Sequence, residues 1–431
     1  MGSGNRGRIA RPGLWLVLAL AFCSACSEPA RRPNVLLLVI DTLRKDHLHL
    51  YGHPEPLSPA IDALAARGTV FENHFTHASQ TVPATLSLLL SQLPAEHGFL
   101  PGTPNALTQN RWVYPPELLF LQEVFRDAGY ETAALTANPF LMRSNGFDQG
   151  FESFATFSES GEDLNRAAIG WLRARQRERP FFLYLHYMDV HQPYRAAARH
   201  HQRFVTEIGV KLLGNRPLAM FAPLDLRYSH ALYRACVAYQ DDLVGELLHE
   251  LDAAGLRDDT LIVLTADHGE EFGEHGGVGH GTSLYGELVR VPLVVVLPGR
   301  VEAGRRVTHL SQHLDVAPTM LSLAGLSRPS SFRGGSIFEP AERVLLEMGP
   351  WVGVAADGAK LVWKRDAGEP QLFALSDELD RQPRDDPATT ARLRARLDEY
   401  LALERAGSDV QSSIPLSAEE TERLRALGYV E

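Results

Sequence analysis

The sequence is poor in three features that would define other classes of protein. It has three cysteines in 431 residues, which is too few for a disulfide framework. It carries 42 Lys and Arg against 53 Asp and Glu, a net charge of −11, and therefore lacks the basic footprint of a nucleic-acid-binding protein. Its N-terminal apolar run, Leu14–Phe22, is shorter than the roughly 20 residues that a transmembrane helix needs. With 45% apolar and 22% charged residues, the composition is that of a globular protein.

The first 26 residues have the pattern of an export signal. Three arginines precede the apolar run, and Cys23-Ser-Ala-Cys26 follows it. This order is typical of a bacterial-type secretory signal, with an uncleaved N-terminal anchor as the alternative. Cys26 resembles a lipoprotein acylation site, although Cys23 stands where a Leu is usual. We therefore expect an exported protein that is periplasmic or is attached to the membrane only through an N-terminal lipid or signal anchor.

Patterns of buried strands and helices alternate along residues 33–335. Continuous apolar runs occupy 35–40, 132–136, 181–185, 261–264 and 291–297. Segments with the helical period occupy 58–67, 83–92, 117–128, 161–177, 229–254 and 313–324. This alternation predicts an α/β fold with a large, mostly parallel sheet that has helices on both faces. The stretch 195–226 has no clear period, and we interpret it as an insertion that covers the site described below.

The pattern changes near residue 336. Short strand-like runs at 343–347, 360–364 and 371–375, followed by a helix near 389–404, predict a small C-terminal α+β subdomain over 336–405. Residues 406–431 form a tail, in which Ser417-Ala-Glu-Glu420 is a capping box that opens a short helix to Leu427.

Three aspartates follow predicted strands: Asp41, Asp189 and Asp267. In open α/β sheets, ligands bind beyond the carboxyl ends of the strands. One such aspartate would indicate little, because Asp also favours turns and helix caps. Three of them, two with histidines nearby, predict a shared site.

The segment Asp267-His-Gly-Glu-Glu-Phe-Gly-Glu-His-Gly-Gly-Val-Gly-His280 is the most informative. Asp267 and His268 can offer an oxygen and a nitrogen to one divalent cation. The glycines allow tight turns, and His275 and His280 follow within the same loop. The alternative is a solvated loop with scattered polar residues.

Two further segments contain polar residues beside apolar runs. Pro83 suits the first turn of a helix, so Thr81 lies at a helix N-terminus, where backbone N–H groups favour an anion. From this segment alone we expect Thr81 to be an N-cap, with a metal-activated nucleophile as the alternative. In the other segment, His186 is interpreted as a core histidine. Asp189 and His191 share a face if the strand continues, and His191 could bind an anion or act as general acid.

In this order, these segments resemble the sulfatase family of the alkaline-phosphatase superfamily. The resemblance covers nearly everything after residue 33. The segments that carry it are Pro33–Asp41, Ser58–Gly68, Phe71–Phe75, Asp267–Glu270, Gly273–Gly276, Val289–Leu293 and Leu424–Tyr429.

The resemblance implies an ester hydrolase whose catalytic domain occupies 33–335. Asp41, Asp267 and His268 would be metal ligands, with Thr81 as the nucleophile beside the same metal. His191 and His280 would hold the anionic oxygens of the substrate or protonate its leaving group.

The ligand set also bears on the identity of the metal. Two carboxylates, an imidazole and a hydroxyl suit Zn²⁺ or Mn²⁺ better than Ca²⁺, which stays an alternative. A second metal, involving Asp189, His191 and His280, is left open. Thr42 and His275 are further candidates, either as ligands of a second metal or as residues that contact and orient the ligands of the first.

The sequence departs from the common sulfatase pattern at five positions. Thr42 stands where many members carry a second Asp. Thr81-Val-Pro-Ala-Thr85 stands in place of the Cys/Ser-x-Pro-x-Arg motif whose first residue becomes formylglycine. His268 and His280 stand where Asn and Lys are frequent. With these residues, the predicted site is more similar to that of the family's phosphoryl-transfer relatives. The similarity favours phosphate-ester chemistry.

The leading hypothesis is a metal-dependent hydrolase of sulfate or phosphate esters, acting on a small-molecule, glycan or lipid ester. The first alternative is a transferase of the phosphoethanolamine type, which would pass a phosphoryl headgroup to an acceptor. The second is a degenerate, non-catalytic member that binds an anion or glycan.

Overall fold

The structure is a computed structural model that describes residues 1, 2, 4, 31–99, 110–158, 160–207, 226–402 and 412–426. The chain divides into two compact units, Met1–Arg32 and Pro33–Glu431. Apart from residues 1, 2 and 4, the predicted export signal, including Cys26, lies outside the described residues. Within the described ranges, no helix is both long enough and apolar enough to cross a membrane.

The second unit contains an eight-stranded sheet. Its strands, in order across the sheet, are β11 (Arg305–Gln312), β2 (Thr69–Phe75), β10 (Leu293–Val296), β7 (Thr260–Thr265), β1 (Asn34–Ile40), β6 (Phe181–Tyr187), β4 (Glu131–Thr136) and β5 (Ser153–Thr156). Strand β10 is antiparallel to both neighbours, and the other pairs are parallel. The predicted large, mostly parallel sheet is confirmed.

Helices cover both faces of this sheet. They are α1 (Pro59–Ala65), α2 (Thr81–Leu90), α3 (Pro94–His97), α4 (Leu121–Asp127), α5 (Gly161–Ala174), α6 (Ala198–Glu207), α7 (Leu226–Ala253), α8 (Gly286–Val289) and α9 (His313–Leu323), with 3₁₀ turns at Lys45–His47, His49–Tyr51, Arg143–Asn145 and Arg257–Asp259. Helix α6 lies in the stretch that was interpreted as an aperiodic insertion. All six predicted helices are present, within four residues of their expected ends.

Strand β1 shows why its sequence is a continuous apolar run. Leu36, Leu38 and Ile40 belong to the core under α1, α5 and α7. The residues between them, Val35, Leu37 and Val39, belong to the core under α2, α4 and α9. Successive side chains of a strand point to opposite faces, so both sets are apolar when both faces are covered.

A separate small antiparallel sheet lies in the C-terminal part of this unit. It consists of β12 (Val344–Met348), β13 (Trp351–Ala356), β14 (Ala359–Lys364) and β15 (Gln371–Ala374), and α10 (Pro387–Leu401) follows it. This confirms the expected C-terminal α+β subdomain, of which the sequence did not indicate β13. In the loop after β7, β8 (Glu271–Phe272) pairs with β9 (Val278–Gly279). In the tail, β16 (Ser412–Pro415) pairs with β3 (Asn110–Val113), and α11 (Ala418–Ala426) begins directly after Ser417.

The N-terminus of α1 is capped by another helix. Ser58 precedes Pro59, but the Ser58 hydroxyl makes no capping bond. Instead, the backbone N–H groups of Ala60 and Ile61 donate to the Asp241 carboxylate on α7 at 2.9 and 2.8 Å. Helix α7 thereby satisfies N–H groups that the first turn of an α-helix leaves unpaired.

Lys360 of the small sheet forms a buried ion pair and also contacts the segment before α8. Lys360 Nζ donates to Asp380 Oδ2 at 2.5 Å and to the Leu284 carbonyl at 2.6 Å, and both charged side chains are 0% exposed. We expect Lys360→Ala to lower the free energy of unfolding by about 3–5 kcal/mol, because it leaves the Asp380 carboxylate buried without its partner. Chemical denaturation measures this loss.

Arg166→Ala is the control, since the Arg166–Asp163 pair is 74% and 53% exposed and contributes little. Equal stabilities of the Lys360→Ala variant and the wild-type protein would contradict the importance of the buried pair.

Candidate active site

The carboxyl ends of neighbouring strands bring four predicted site residues together. Asp41 directly follows β1, Asp267 and His268 follow β7, and Thr81 is the first residue of α2. Asp41, Asp267 and His268 are fully buried, and each offers one ligand atom within 4.8 Å of the others. This is the position beyond the strand ends that the sequence predicts for a ligand site.

Asp41 is oriented by contacts to only one of its carboxylate oxygens. Oδ2 accepts a hydrogen bond from Asn138 Nδ2 at 2.7 Å and lies 3.1 Å from His186 Nε2. Oδ1 is buried and has no hydrogen-bond partner among the residues that the structure describes. Since a buried carboxylate oxygen without a partner is costly, Oδ1 is suited to a cation.

Asp267 and His268 repeat this arrangement. Asp267 Oδ1 accepts from the backbone N–H groups of Thr42 at 3.2 Å and His268 at 2.8 Å, while its buried Oδ2 has no partner within the described ranges. His268 Nδ1 donates to the Gly269 carbonyl at 2.9 Å, which leaves the lone pair on Nε2. Each of the three residues thus presents one free ligand atom, held by contacts at its other atom, as metal ligands usually are. The three residues fit a divalent cation.

The titration behaviour agrees with this fit. Burial opposes ionisation of Asp41, but the hydrogen bond with His186 and the charges of nearby histidines keep the pKa of its carboxyl below the usual range. Burial and the charge of Asp41 raise the pKa of Asp267. A cation between the two carboxylates would favour the ionised form of both.

Thr81 does not act as the cap of its helix, so the N-cap expectation is wrong. Gln80 is the N-cap residue of α2 and makes no side-chain capping bond. The Thr81 hydroxyl instead lies 3.5 Å from Asp41 Oδ2 and 3.5 Å from His268 Nε2. It is 4% exposed, and a residue at the start of this ten-residue helix lies where the helix dipole favours an anion.

The backbone at Thr42 is strained. Its φ of 57° lies in the left-handed region, which a β-branched residue rarely adopts. This conformation directs the Thr42 N–H to Asp267, and the Thr42 hydroxyl donates to the Asp41 carbonyl at 2.7 Å. Thr42 therefore contacts Asp267 through its backbone N–H and Asp41 through its hydroxyl, and the strain fits a functional site.

His191 and His280 lie beside the cluster. The His280 ring is 4.5 Å from the His268 ring and 4.9 Å from the His191 ring, measured between centroids. Burial lowers the pKa of His191. For His280, burial acts in the same direction, but the adjacent Glu270 carboxylate outweighs it and raises the pKa.

Two candidates from the sequence lie elsewhere. Strand β6 ends at Tyr187, so the shared face expected for Asp189 and His191 does not form; Asp189 Oδ1 accepts from the Gly161 N–H at the start of α5. His275 pairs with Glu287 at 2.7 Å and lies 2.9 Å from the Asp380 carbonyl oxygen. Among the described residues, neither one belongs to the Asp41 cluster.

Three further residues contact or support the cluster and were not among the predicted site residues. His186 is buried as expected, but it contacts Asp41 rather than serving only the core. Asn138, two residues after β4, also reaches Asp41. Arg44 is 2% exposed and donates to the Glu270 carbonyl at 2.9 Å, which fixes the start of the glycine-rich loop. A polar residue just beyond a strand end was the available signal for Asn138.

Known proteins resemble this chain in sequence and in fold. The family model described as Sulfatase matches residues 33–326. The uncharacterized sulfatase YidJ of Escherichia coli (strain K12) is 25% identical over 367 residues, covering 72% of this chain and 72% of that protein. The structure of BT4656 in complex with D-glucosamine-2-N,6-O-disulfate superposes with a TM-score of 0.70 at 20% identity, covering 86% of this chain and 97% of that one.

The phosphonate monoester hydrolase of Agrobacterium radiobacter superposes with a TM-score of 0.67 at 20% identity, covering 86% of this chain and 95% of that one. The matched range 33–326 is more than half of the chain and includes all strands of the eight-stranded sheet. Members of the matched family are ester hydrolases that bind a divalent metal. This chain belongs to the sulfatase family of the alkaline-phosphatase superfamily.

Proposed function

We propose that this protein is a metal-dependent hydrolase of sulfate or phosphate esters in which Thr81 is the nucleophile. The proposal rests on the position of the Thr81 hydroxyl, 3.5 Å from Asp41 and from His268 at the start of α2. A hydroxyl at that point lies beside the candidate metal ligands and in a region that favours the anionic group of an ester.

The reaction divides into two displacements. A divalent cation held by Asp41, Asp267 and His268 would lower the pKa of an adjacent hydroxyl and offset negative charge on the transferred group. The Thr81 oxygen attacks the phosphorus or sulfur atom, and the bond to the ester oxygen breaks. His280 or His191 gives a proton to that departing oxygen, after which water releases the acid from Thr81.

A threonine nucleophile favours hydrolysis of phosphate esters over hydrolysis of sulfate esters. Formylglycine has a second hydroxyl that can expel sulfate without attack on sulfur, whereas a threonine ester must be cleaved by water at the central atom. Phosphorus accepts that attack more readily. The fold is compatible with both classes, since BT4656 has been solved with a sulfated sugar and the A. radiobacter protein is a phosphonate monoester hydrolase.

A substrate panel tests this proposal. We expect the metal-depleted protein, reloaded with Zn²⁺ or Mn²⁺, to hydrolyse nitrophenyl phosphate monoesters, diesters or phosphonate esters faster than nitrophenyl sulfate. Reloading with Ca²⁺ should restore less activity, because an imidazole ligand suits Ca²⁺ poorly. Release of nitrophenolate measures each rate. Faster turnover of the sulfate ester would reverse the preference, and no turnover of any ester would contradict the function.

The same panel addresses the two alternatives, neither of which the relatives favour. Product that appears on an added alcohol rather than on water would indicate a transferase. A protein that takes up no metal would indicate a non-catalytic binding module. Export from the cytoplasm and acylation of Cys26 stay predictions from residues 1–26.

A further inference from the structure

We propose that His47 and His230 form a binding site for one Cu²⁺ ion, separate from the candidate active site. His47 belongs to the 3₁₀ turn that follows β1, and His230 lies near the start of α7. The two residues are 183 positions apart in the sequence, and their side chains meet in the fold. The proposed hydrolysis does not depend on this site.

The two imidazole rings meet nitrogen to nitrogen. His47 Nε2 lies 2.7 Å from His230 Nε2, and the ring planes are inclined by 85°. Because a neutral imidazole has one N–H group and one lone pair, one of these nitrogens donates a hydrogen bond to the other. Imidazole nitrogens are also preferred ligands of transition metals, so two of them in contact can bind one ion.

The distance between the two nitrogens favours copper over zinc. With metal–nitrogen bonds of about 2.0 Å, neighbouring ligands of a square-planar ion lie roughly 2.8 Å apart, and those of a tetrahedral ion roughly 3.3 Å apart. The observed 2.7 Å is close to the first value. Square-planar coordination is typical of Cu²⁺, which also binds such ligands most tightly, whereas zinc sites use three or four protein ligands.

Asp46 orients the His47 ring. Its Oδ1 lies 3.0 Å from His47 Nδ1, and Arg44 donates two hydrogen bonds to the same carboxylate at 2.9 and 2.7 Å. Burial opposes ionisation of Asp46, but the charge of Arg44 keeps its pKa well below the usual range. An ionised carboxylate only accepts, so His47 Nδ1 carries the hydrogen and Nε2 keeps its lone pair. Carboxylates hold metal-binding histidines in the same way.

Both histidines are neutral at pH 7. Burial lowers the pKa of His47, and burial together with the charge of His47 lowers the pKa of His230 to about 4. Metal binding requires neutral imidazole, so protons do not compete with the ion near neutral pH. In the metal-free pair, His230 Nε2 donates to His47 Nε2. When copper binds, that hydrogen moves to His230 Nδ1, and no proton is released.

The positive charges beside the pair have acidic partners. Arg44 forms ion pairs with Asp46 and Glu274, and Arg234, on the same helix as His230, forms one with Glu55. These carboxylates offset the repulsion between the guanidinium groups and a cation. His47 is 2% exposed, whereas His230 is only partly buried, so its ring can turn towards an ion whose other positions are taken by water.

A layer of other residues lies between the pair and the active site. The His47 ring packs edge-on against Tyr233 at 4.9 Å, and the Tyr233 hydroxyl donates to the Thr42 carbonyl at 2.7 Å. Among the described contacts, neither histidine touches a member of the Asp41 cluster. An ion at the pair is therefore not a second ion of the active site.

Copper binding to the full chain, without an affinity tag, tests the proposal. Asp267→Asn is the parent variant, because it removes a ligand of the active site. We expect the parent to bind one equivalent of Cu²⁺ in a calorimetric titration, more tightly than Zn²⁺. Its electron paramagnetic resonance spectrum should show coupling to two imidazole nitrogens. Adding His230→Ala should lower the Cu²⁺ affinity on the order of 100-fold and remove one coupled nitrogen.

His249→Ala, in the same parent, is the matched control. His249 is exposed on the same helix as His230, and its removal should leave the copper site unchanged. Thermal unfolding checks that each variant is folded. Undiminished Cu²⁺ affinity after His230→Ala, an equal loss after His249→Ala, tighter binding of Zn²⁺ than of Cu²⁺, or no copper uptake by the parent would each overturn the proposal.

Discussion

Thr81→Ala is expected to lower kcat/KM on the order of 10⁴-fold or more on every substrate that the wild-type protein cleaves. The substitution removes the only atom that the proposed mechanism uses as nucleophile, and neighbouring groups cannot replace a missing attacking oxygen. The fold should persist, because within the described part of the chain the Thr81 hydroxyl makes only contacts of 3.5 Å, to Asp41, His268 and Asn138. Steady-state kinetics together with thermal unfolding measures both effects.

Thr81→Ser is the matched control, because it keeps the hydroxyl and removes only a methyl group. It should retain measurable turnover. Acid quenching of the wild-type reaction with a phosphate ester should also trap a phosphate on the peptide that contains Thr81, visible by mass spectrometry. Undiminished rates in Thr81→Ala would exclude this residue as the nucleophile.

Asp267→Asn is expected to abolish stoichiometric metal binding and to lower activity by about 100-fold or more. The asparagine carbonyl can still accept from the N–H groups of Thr42 and His268, so its amide nitrogen takes the place of the free Oδ2. An amide N–H group repels a cation. Elemental analysis of the purified protein, before and after treatment with a chelator and readdition of Zn²⁺, measures the loss.

Thermal unfolding gives an independent readout of the same substitution. Metal at 100 times its Kd should stabilise the wild-type protein by about 2.7 kcal/mol, and should not stabilise Asp267→Asn. Without metal, Asp267→Asn should be more stable than the wild-type protein. The substitution removes one of two buried carboxylates that repel each other. Asp189→Asn should keep its metal and serves as control, because Asp189 contacts the first residue of α5 rather than the Asp41 cluster. Full metal occupancy in Asp267→Asn would contradict the ligand assignment.

Residues at the ends of strands were the part of the site that the sequence could predict. Asp41 and Asp267 follow runs that are apolar on both faces, and such runs form parallel strands whose carboxyl ends share one edge. Their proximity follows from the fold class alone. Thr81 was harder, since a helix-initiating threonine is usually a cap, and its segment alone left a metal-activated nucleophile as the alternative.

The surroundings of the ligands depend on strand register, which the sequence did not fix. His186 reaches Asp41 because β6 pairs with β1 so that Val39 lies opposite His186. A shift of one residue would turn His186 to the other face. Asp189 and His275 stay outside the Asp41 cluster for a related reason, because β6 stops at Tyr187 and because Glu287, from α8, pairs with His275.

The contact between the Thr42 N–H and Asp267 joins positions that are 225 residues apart. The centre therefore draws on distant parts of the sequence, and no contiguous fragment that lacks β1 or β7 can contain it. Closing a chain segment of that length makes such a contact slow to form. During refolding, regain of catalysis would thus report the pairing of β1 with β7 rather than the formation of any local segment.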